Sequence, residues 1–111
     1  MKKLVVLWKS DDLVDIKELI ITYITNSMLK SWWDQVEVII WGASQKLVSE
    51  NKEIQEEIKK MMALGVLFYA CKNCADNLCV TAHLESVGID VKYTGLLLTQ
   101  RLQSDAYVIT L

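Results

Sequence analysis

The chain has 111 residues, a formal net charge of −2 from 12 basic and 14 acidic side chains, 52 % apolar residues, no proline, four tryptophans and three cysteines. One domain over residues 1–111 is expected at roughly 100–200 residues per domain, and this balance excludes a disordered or collagen-like chain and a polybasic nucleic-acid binder. The odd cysteine count, the lack of an Asn-x-Ser/Thr sequon and the lack of a cleavable leader argue against a secreted disulfide scaffold.

Lys2 and Lys3 look like the start of a leader, but the apolar run Leu4–Trp8 is too short for one and meets the charged Lys9-Ser10-Asp11-Asp12. It reads as a strand covered on both faces, as in a parallel sheet. Ser10 or Asp11 can cap the helix that follows, since their oxygens accept from free N–H groups of a first turn. Ile16, Ile20, Ile24 and Met28 recur at every fourth position, predicting one long amphipathic helix from Leu13 to about Lys30. Trp32 and Trp33 then lie between elements and are expected to pack on the far rim of the sheet, with a subunit contact as the lesser reading.

Gln35–Trp41 is rich in β-branched residues and reads as the second strand, with Gly42 as a turn. A helical region follows from Ser44 to Leu64, with Ile54, Ile58, Met61 and Met62 on one face and a Glu56–Lys60 pair on the other. Gly65 closes it, and Val66–Ala70 is the third strand. The longest apolar stretch, Met61–Cys71, is well short of the ~20 residues needed to cross a bilayer. A soluble, cytoplasmic protein with no membrane partner is expected. Lys72 to about Val87 reads as a third helix closed by Gly88, Ile89–Thr94 as the fourth strand, Leu96–Ser104 as a short helix and Tyr107–Leu111 as the last strand. This alternation predicts an α/β fold with a mostly parallel sheet.

In such sheets, ligands gather at the carboxyl ends of the strands, near the point where strand order reverses. Those ends carry Trp8-Lys9-Ser10, Trp41-Gly42-Ala43-Ser44, Cys71-Lys72-Asn73-Cys74 and Thr94-Gly95. Trp8 and Trp41 either wall a site together with Lys9, Gly42, Lys72 and Asn73 or simply cap the core. Cys71 stands where a strand gives way to a helix, so the helix N–H groups and nearby Lys9 or Lys72 can stabilise its thiolate. A thiol lowered in this way is nucleophilic, able to accept a sulfur atom or to form a disulfide with Cys74. The C-x-x-C spacing is that of a redox dithiol, yet the thioredoxin type is disfavoured, because its dithiol faces a cis-proline and this chain has no proline.

Cys71, Cys74, Cys79 and His83 are also a zinc-compatible set. On one regular helix, however, Cys74 falls nearly opposite His83, so no single site collects all four, and no metal or cofactor is expected. Cys79 shares a face with Ala75, Leu78 and Ala82 and is expected in the core, while Val80, Leu84 and Val87 form a second stripe suited to a subunit contact. His83 lacks a neighbouring acid and nucleophile and is expected to be packed or at the solvent edge. Asp11 and Asp12 are expected to cap rather than to bind metal. No nucleotide-binding, hydrolase or metalloprotease motif occurs.

The blocks Val38–Ala43, Gly65–Cys71, Val91–Gly95 and Leu102–Ile109, in this order, resemble small single-domain members of the DsrE/DsrF-like family. The resemblance implies a three-layer α/β/α domain with a five-stranded, mainly parallel sheet and homo-oligomers, often trimers or hexamers. Its sulfur-relay members carry a persulfide on a cysteine, and Cys71 matches that position by its place after the third strand. Cys74 and Cys79 have no counterpart in that pattern, and Ala106 stands where relatives often have glycine. Two main readings follow, beside a weaker third in which Cys71 and Cys74 hold a metal with a ligand from another subunit. In one, Cys71 receives sulfur from a donor protein and passes it to an acceptor, with Cys74 as a resolving thiol. In the other, an oligomeric, non-enzymatic module binds a small ligand between Trp8, Trp41 and the loops beside Cys71.

Overall fold

Every apolar run that reads as a strand is one in the computed structural model, which describes residues 1–111. In chain order the elements are β1 (Lys3–Trp8), α1 (Leu13–Asp15), a π-helical stretch (Ile16–Ile21), α2 (Thr22–Leu29), β2 (Gln35–Ile40), α3 (Ala43–Glu50), α4 (Lys52–Ala63), β3 (Leu67–Cys71), α5 (Lys72–Asn77), α6 (Thr81–Val87), β4 (Asp90–Lys92), α7 (Thr94–Leu102) and β5 (Tyr107–Thr110). The strands form one sheet in the order β4-β3-β2-β1-β5, and all four pairings are parallel.

Because the chain steps outward from β1 to β4 and then returns to the other side of β1, its connections fall on both sheet faces. The two faces are covered unequally. Leu4, Val6, Trp8, Val36, Val38, Ile40, Phe68 and Ala70 join Ile16, Ile20, Ile24, Ile54, Ile58, Met61, Leu84 and Val87 in the main core. The opposite face has α7 alone, with Val5, Ile39 and Leu97 buried and Leu7, Trp41, Tyr69, Leu98 and Val108 around them.

One charge is buried beneath α7. Glu37 points to this face at 2 % exposure, with Lys3 Nζ at 2.7 Å and Arg101 Nε at 2.8 Å from its oxygens. Burial pushes its carboxyl up, but hydrogen bonds from Arg101 and Lys3 outweigh that and hold it below the usual carboxylate range. The pair ties α7 to the sheet.

Several helices depart from the sequence expectation. The first is continuous in path but wound wider over Ile16–Ile21, so that Ile16, Ile20 and Ile21 all turn inward while the Thr22 hydroxyl donates to the Lys17 carbonyl at 2.9 Å. Of the residues expected to cap it, Asp12 does so, its carboxylate accepting from the Asp15 N–H at 3.0 Å, and Ser10 and Asp11 do not. The Ser44–Leu64 region divides at Asn51, an extended residue whose side chain caps α4 by accepting from the Ile54 N–H at 3.0 Å. On α4 the ion pairs are Lys59 with Glu56 and Lys60 with Glu57, not Glu56 with Lys60.

The third helix also breaks in two. The Cys79 N–H donates to the Asp76 carbonyl at 3.1 Å and the Val80 N–H to the Ala75 carbonyl at 2.9 Å, which is the Schellman closure of a helix end. Cys79 occupies its left-handed position, at φ 58°, and is exposed instead of lying in the core. Leu84 and Val87 face the main core with Val80 against it, so that stripe is already covered within the chain. Trp33 packs as expected: its indole N–H donates to the Tyr23 hydroxyl at 3.1 Å and its ring lies 5.5 Å from that of Tyr107. Trp32 is half exposed beside Tyr23. No helix is long and apolar enough to cross a membrane.

Candidate functional site

The two strand-end tryptophans do not meet. Trp8 has the parity of Leu4 and Val6 and enters the main core at 0 % exposure, its indole N–H donating to the Ser10 carbonyl at 2.9 Å. Trp8 pairs with Ile40 in the sheet, so Trp41, one residue further, turns to the α7 face. The backbone beneath them is pinned by Ser44, whose buried hydroxyl lies 2.6 Å from the Trp8 carbonyl and 3.1 Å from that of Trp41. Gly42 then takes φ 73° and ψ −136°, a region open to glycine alone. The Gly42 N–H and the Trp41 indole both favour the charged form of the Cys74 thiol.

Cys71 ends β3 and precedes the first turn of α5, 5 % exposed. Its carbonyl accepts from Gln45 Nε2 at 2.9 Å, a bond that reaches across from α3. Burial pushes the Cys71 thiol up. The N–H of Cys74, the Thr94 hydroxyl, the Cys74 thiol and the N–H of Asn73 outweigh it and bring the thiol below its ordinary range. Cys74 moves the other way, raised by burial and by donating to, and facing the charge of, Cys71, against smaller contributions from Trp41 and Gly42. The surroundings of the pair thus favour the anion at Cys71 over Cys74.

Neither expected lysine stands among the groups that lower the Cys71 thiol. Lys72 turns its ammonium to Asp76 at 2.8 Å, Lys9 is exposed, and the groups that offset the burial of the Cys71 sulfur are neutral dipoles. Asn73 contributes through its backbone. Cys79 is exposed beyond the helix break and His83 sits on α6 with its Nε2 3.1 Å from Gln55 Nε2. No three His, Cys, Asp or Glu side chains converge in a geometry that holds a metal ion.

The structure thus unites Cys71, Cys74, Trp41, Gly42 and the Asn73 N–H, and separates Trp8, Lys9 and the Lys72 ammonium from them. It adds Thr94 and Gln45. Thr94 was visible as a strand-end residue without a role, whereas Gln45 has no sequence signal, since a glutamine on a short helix reads as solvent-facing. The three surface clefts, of about 430, 310 and 210 Å³, are lined by other residues and include neither cysteine nor either tryptophan.

A parallel α/β domain with two neighbouring thiols at the end of its third strand defines a class of cysteine-bearing strand-end proteins. The chain belongs to the DsrE/DsrF-like family, whose pattern matches residues 19–111. Among solved structures it is similar to the conserved protein of unknown function BT1422 from Bacteroides thetaiotaomicron, with 33 % identity, a TM-score of 0.96 and coverage of 99 % of this chain and 95 % of that one. The protein of unknown function MTH1491 from Methanobacterium thermoautotrophicum, at 19 % identity and a TM-score of 0.73, shares the fold over 100 % of both chains. So does the ychN protein from E. coli, at 16 % identity, a TM-score of 0.69 and 100 % of both chains. No curated protein matches the sequence.

Proposed function

We propose that the protein handles sulfur through Cys71, as the persulfide-carrying cysteine of a relay, with Cys74 as the resolving thiol. The observation that carries this reading is the opposed tuning of two thiols in contact, Cys71 downward and Cys74 upward. The Cys71 thiolate attacks the outer sulfur of a donor persulfide, forming Cys71–S–SH and releasing the donor thiolate, which takes up a proton. An acceptor thiolate then attacks that outer sulfur, and Cys71 leaves as the thiolate. Alternatively Cys74, once deprotonated, attacks Cys71 Sγ, expels hydrosulfide and forms a disulfide, which a dithiol reductant reopens with two electrons. The burial of Cys74, which favours the neutral thiol, slows this second branch and lengthens the life of the persulfide.

The work needs a sulfur donor and an acceptor protein, one DsrE-like domain over residues 1–111, no metal or cofactor, and a reducing compartment such as the cytoplasm. A homo-oligomer, trimeric or hexameric by family resemblance, suits the thinly covered sheet face, where Leu67, Tyr93, Leu96 and Leu102 are exposed. The small-ligand reading has less support, because Trp8 and Trp41 face opposite sides of the sheet and no cleft lies at Cys71.

The test is intact-mass and peptide analysis after incubation with a low-molecular-weight persulfide. A gain of one sulfur atom on Cys71, lost in Cys71→Ser, is expected. No gain on Cys71, while that thiol still alkylates, overturns the proposal.

A further inference from the structure

Two buried side-chain polar atoms in the chain have no hydrogen-bond partner, Thr94 Oγ1 and Gln45 Oε1. Both belong to residues that bear on Cys71. Gln45 holds the Cys71 carbonyl through its other amide atom at 2.9 Å. Thr94 follows β4, whose Lys92 pairs with Cys71 in the sheet, so the start of α7 lies beside the end of β3. There the Thr94 hydroxyl, at 0 % exposure, faces the thiol. A buried hydroxyl without a partner costs about 1–3 kcal/mol, and natural cores rarely keep one without a reason.

We infer that Thr94 is the built-in donor for a sulfur anion at Cys71: its hydroxyl is left unpartnered by the thiol and donates to the sulfur once that carries charge. An anionic sulfur is a far better acceptor than a thiol, so the orphaned hydroxyl is unfavourable in the resting state and satisfied in the reactive one. The inference deepens the sulfur-relay reading by naming the group that poises its nucleophile. The charged and titratable groups on the surrounding elements do not replace it. Lys72 is held by Asp76, Lys92 by Asp90 with its ammonium over the Tyr69 ring, and Cys74 is itself a donor to the same sulfur.

The experiment titrates Cys71 in the full chain, without any sulfur donor, from the pH dependence of iodoacetamide alkylation mapped to its peptide. Thr94→Val removes the hydroxyl at nearly constant shape, Thr94→Ala removes it with less bulk, and Thr94→Ser keeps it. Val and Ala are expected to raise the Cys71 midpoint by about one pH unit, a roughly tenfold loss of alkylation rate near neutrality, while Ser stays close to wild type. An unmoved midpoint in whichever of the Val and Ala variants folds overturns the inference. So does a Ser midpoint displaced as far as theirs. Because no persulfide is used, failure of Cys71 to accept sulfur removes the relay and leaves this result standing, and the reverse also holds.

Discussion

Replacing Glu37 by glutamine tests the one buried charge of the fold. The carboxylate is 2 % exposed and takes hydrogen bonds from Arg101 Nε at 2.8 Å and Nη2 at 3.3 Å, besides the Lys3 ammonium at 2.7 Å. Hydrogen bonds to a charged group are worth ~1.5–3 kcal/mol each, and removing one partner of a fully buried pair costs ~3–5 kcal/mol. Lys3 and Arg101, however, are each 23 % exposed and recover water when the charge is gone. The amide keeps one acceptor oxygen but turns its NH2 toward cations. A loss of about 2–3 kcal/mol at neutral pH follows, a large share of a stability of ~5–15 kcal/mol. The folded-state pKa of Glu37 is depressed, so its stabilisation is complete above the unfolded value of ~4.3 and is lost as pH falls through the folded value. Urea unfolding of wild type and Glu37→Gln should therefore show a gap that is widest near neutrality and narrows below about pH 4. A gap that stays constant into acid would refute the assignment of the stabilisation to the charge.

Cys79→Gly should stabilise the fold by about 0.5–1 kcal/mol in the same urea assay, since the left-handed conformation penalises any Cβ and the exposed thiol gives up no burial. Cys79→Ala, which keeps the penalty, is the control and should match wild type. Gly42→Ala meets no steric neighbour, so its expected cost of about 1–3 kcal/mol is backbone strain alone, read from thermal or urea midpoints. Cys74→Ala removes a donor to the Cys71 sulfur and should raise the alkylation midpoint of Cys71, while letting the persulfide accumulate after donor treatment. A Cys71 midpoint that falls in this variant would contradict the contact between the two thiols.

The strands were legible because each is a short, nearly continuous apolar run, and a strand buried on both faces needs little else to declare itself. The helix breaks were less so. Gly65 and Gly88 announce their helix ends, but the same Schellman closure at Cys79 uses a residue that no composition rule associates with it, so one helix was expected where there are two. That error carried Cys79 into the core and set the faces of Leu78 and Val80 wrongly. The cysteine pair itself was visible from its strand-end position. Its surroundings were not, because they depend on register: only the pairing of Trp8 with Ile40 decides that Trp41 accompanies Cys74 while Trp8 is buried behind the sheet. The source of the thiolate's stability was half legible: a strand giving way to a helix announces the N–H groups of Asn73 and Cys74, whereas the Thr94 hydroxyl has no such signal and Lys72 turns to Asp76 instead.

The helix that brings that hydroxyl stands alone on its side of the sheet. α7 buries only Thr94 and Leu97 fully, and its nine residues extend about 13 Å, from Thr94 against Cys71 at one end to Arg101 against Glu37 at the other. Its seat on the sheet is therefore set by an ion pair at one end and by an unsatisfied hydroxyl at the other, with Leu97 between them. If the ion pair positions the hydroxyl, Glu37→Gln raises the Cys71 alkylation midpoint, the opposite of the fall that loss of a negative charge would by itself produce. The rise should be smaller than that of Thr94→Val, because the hydroxyl is displaced rather than removed. In the combined variant the two shifts should fail to add, since a missing donor cannot be misplaced. Additive shifts would mean that Glu37 acts on the thiol by another route and that the two ends of α7 are independent.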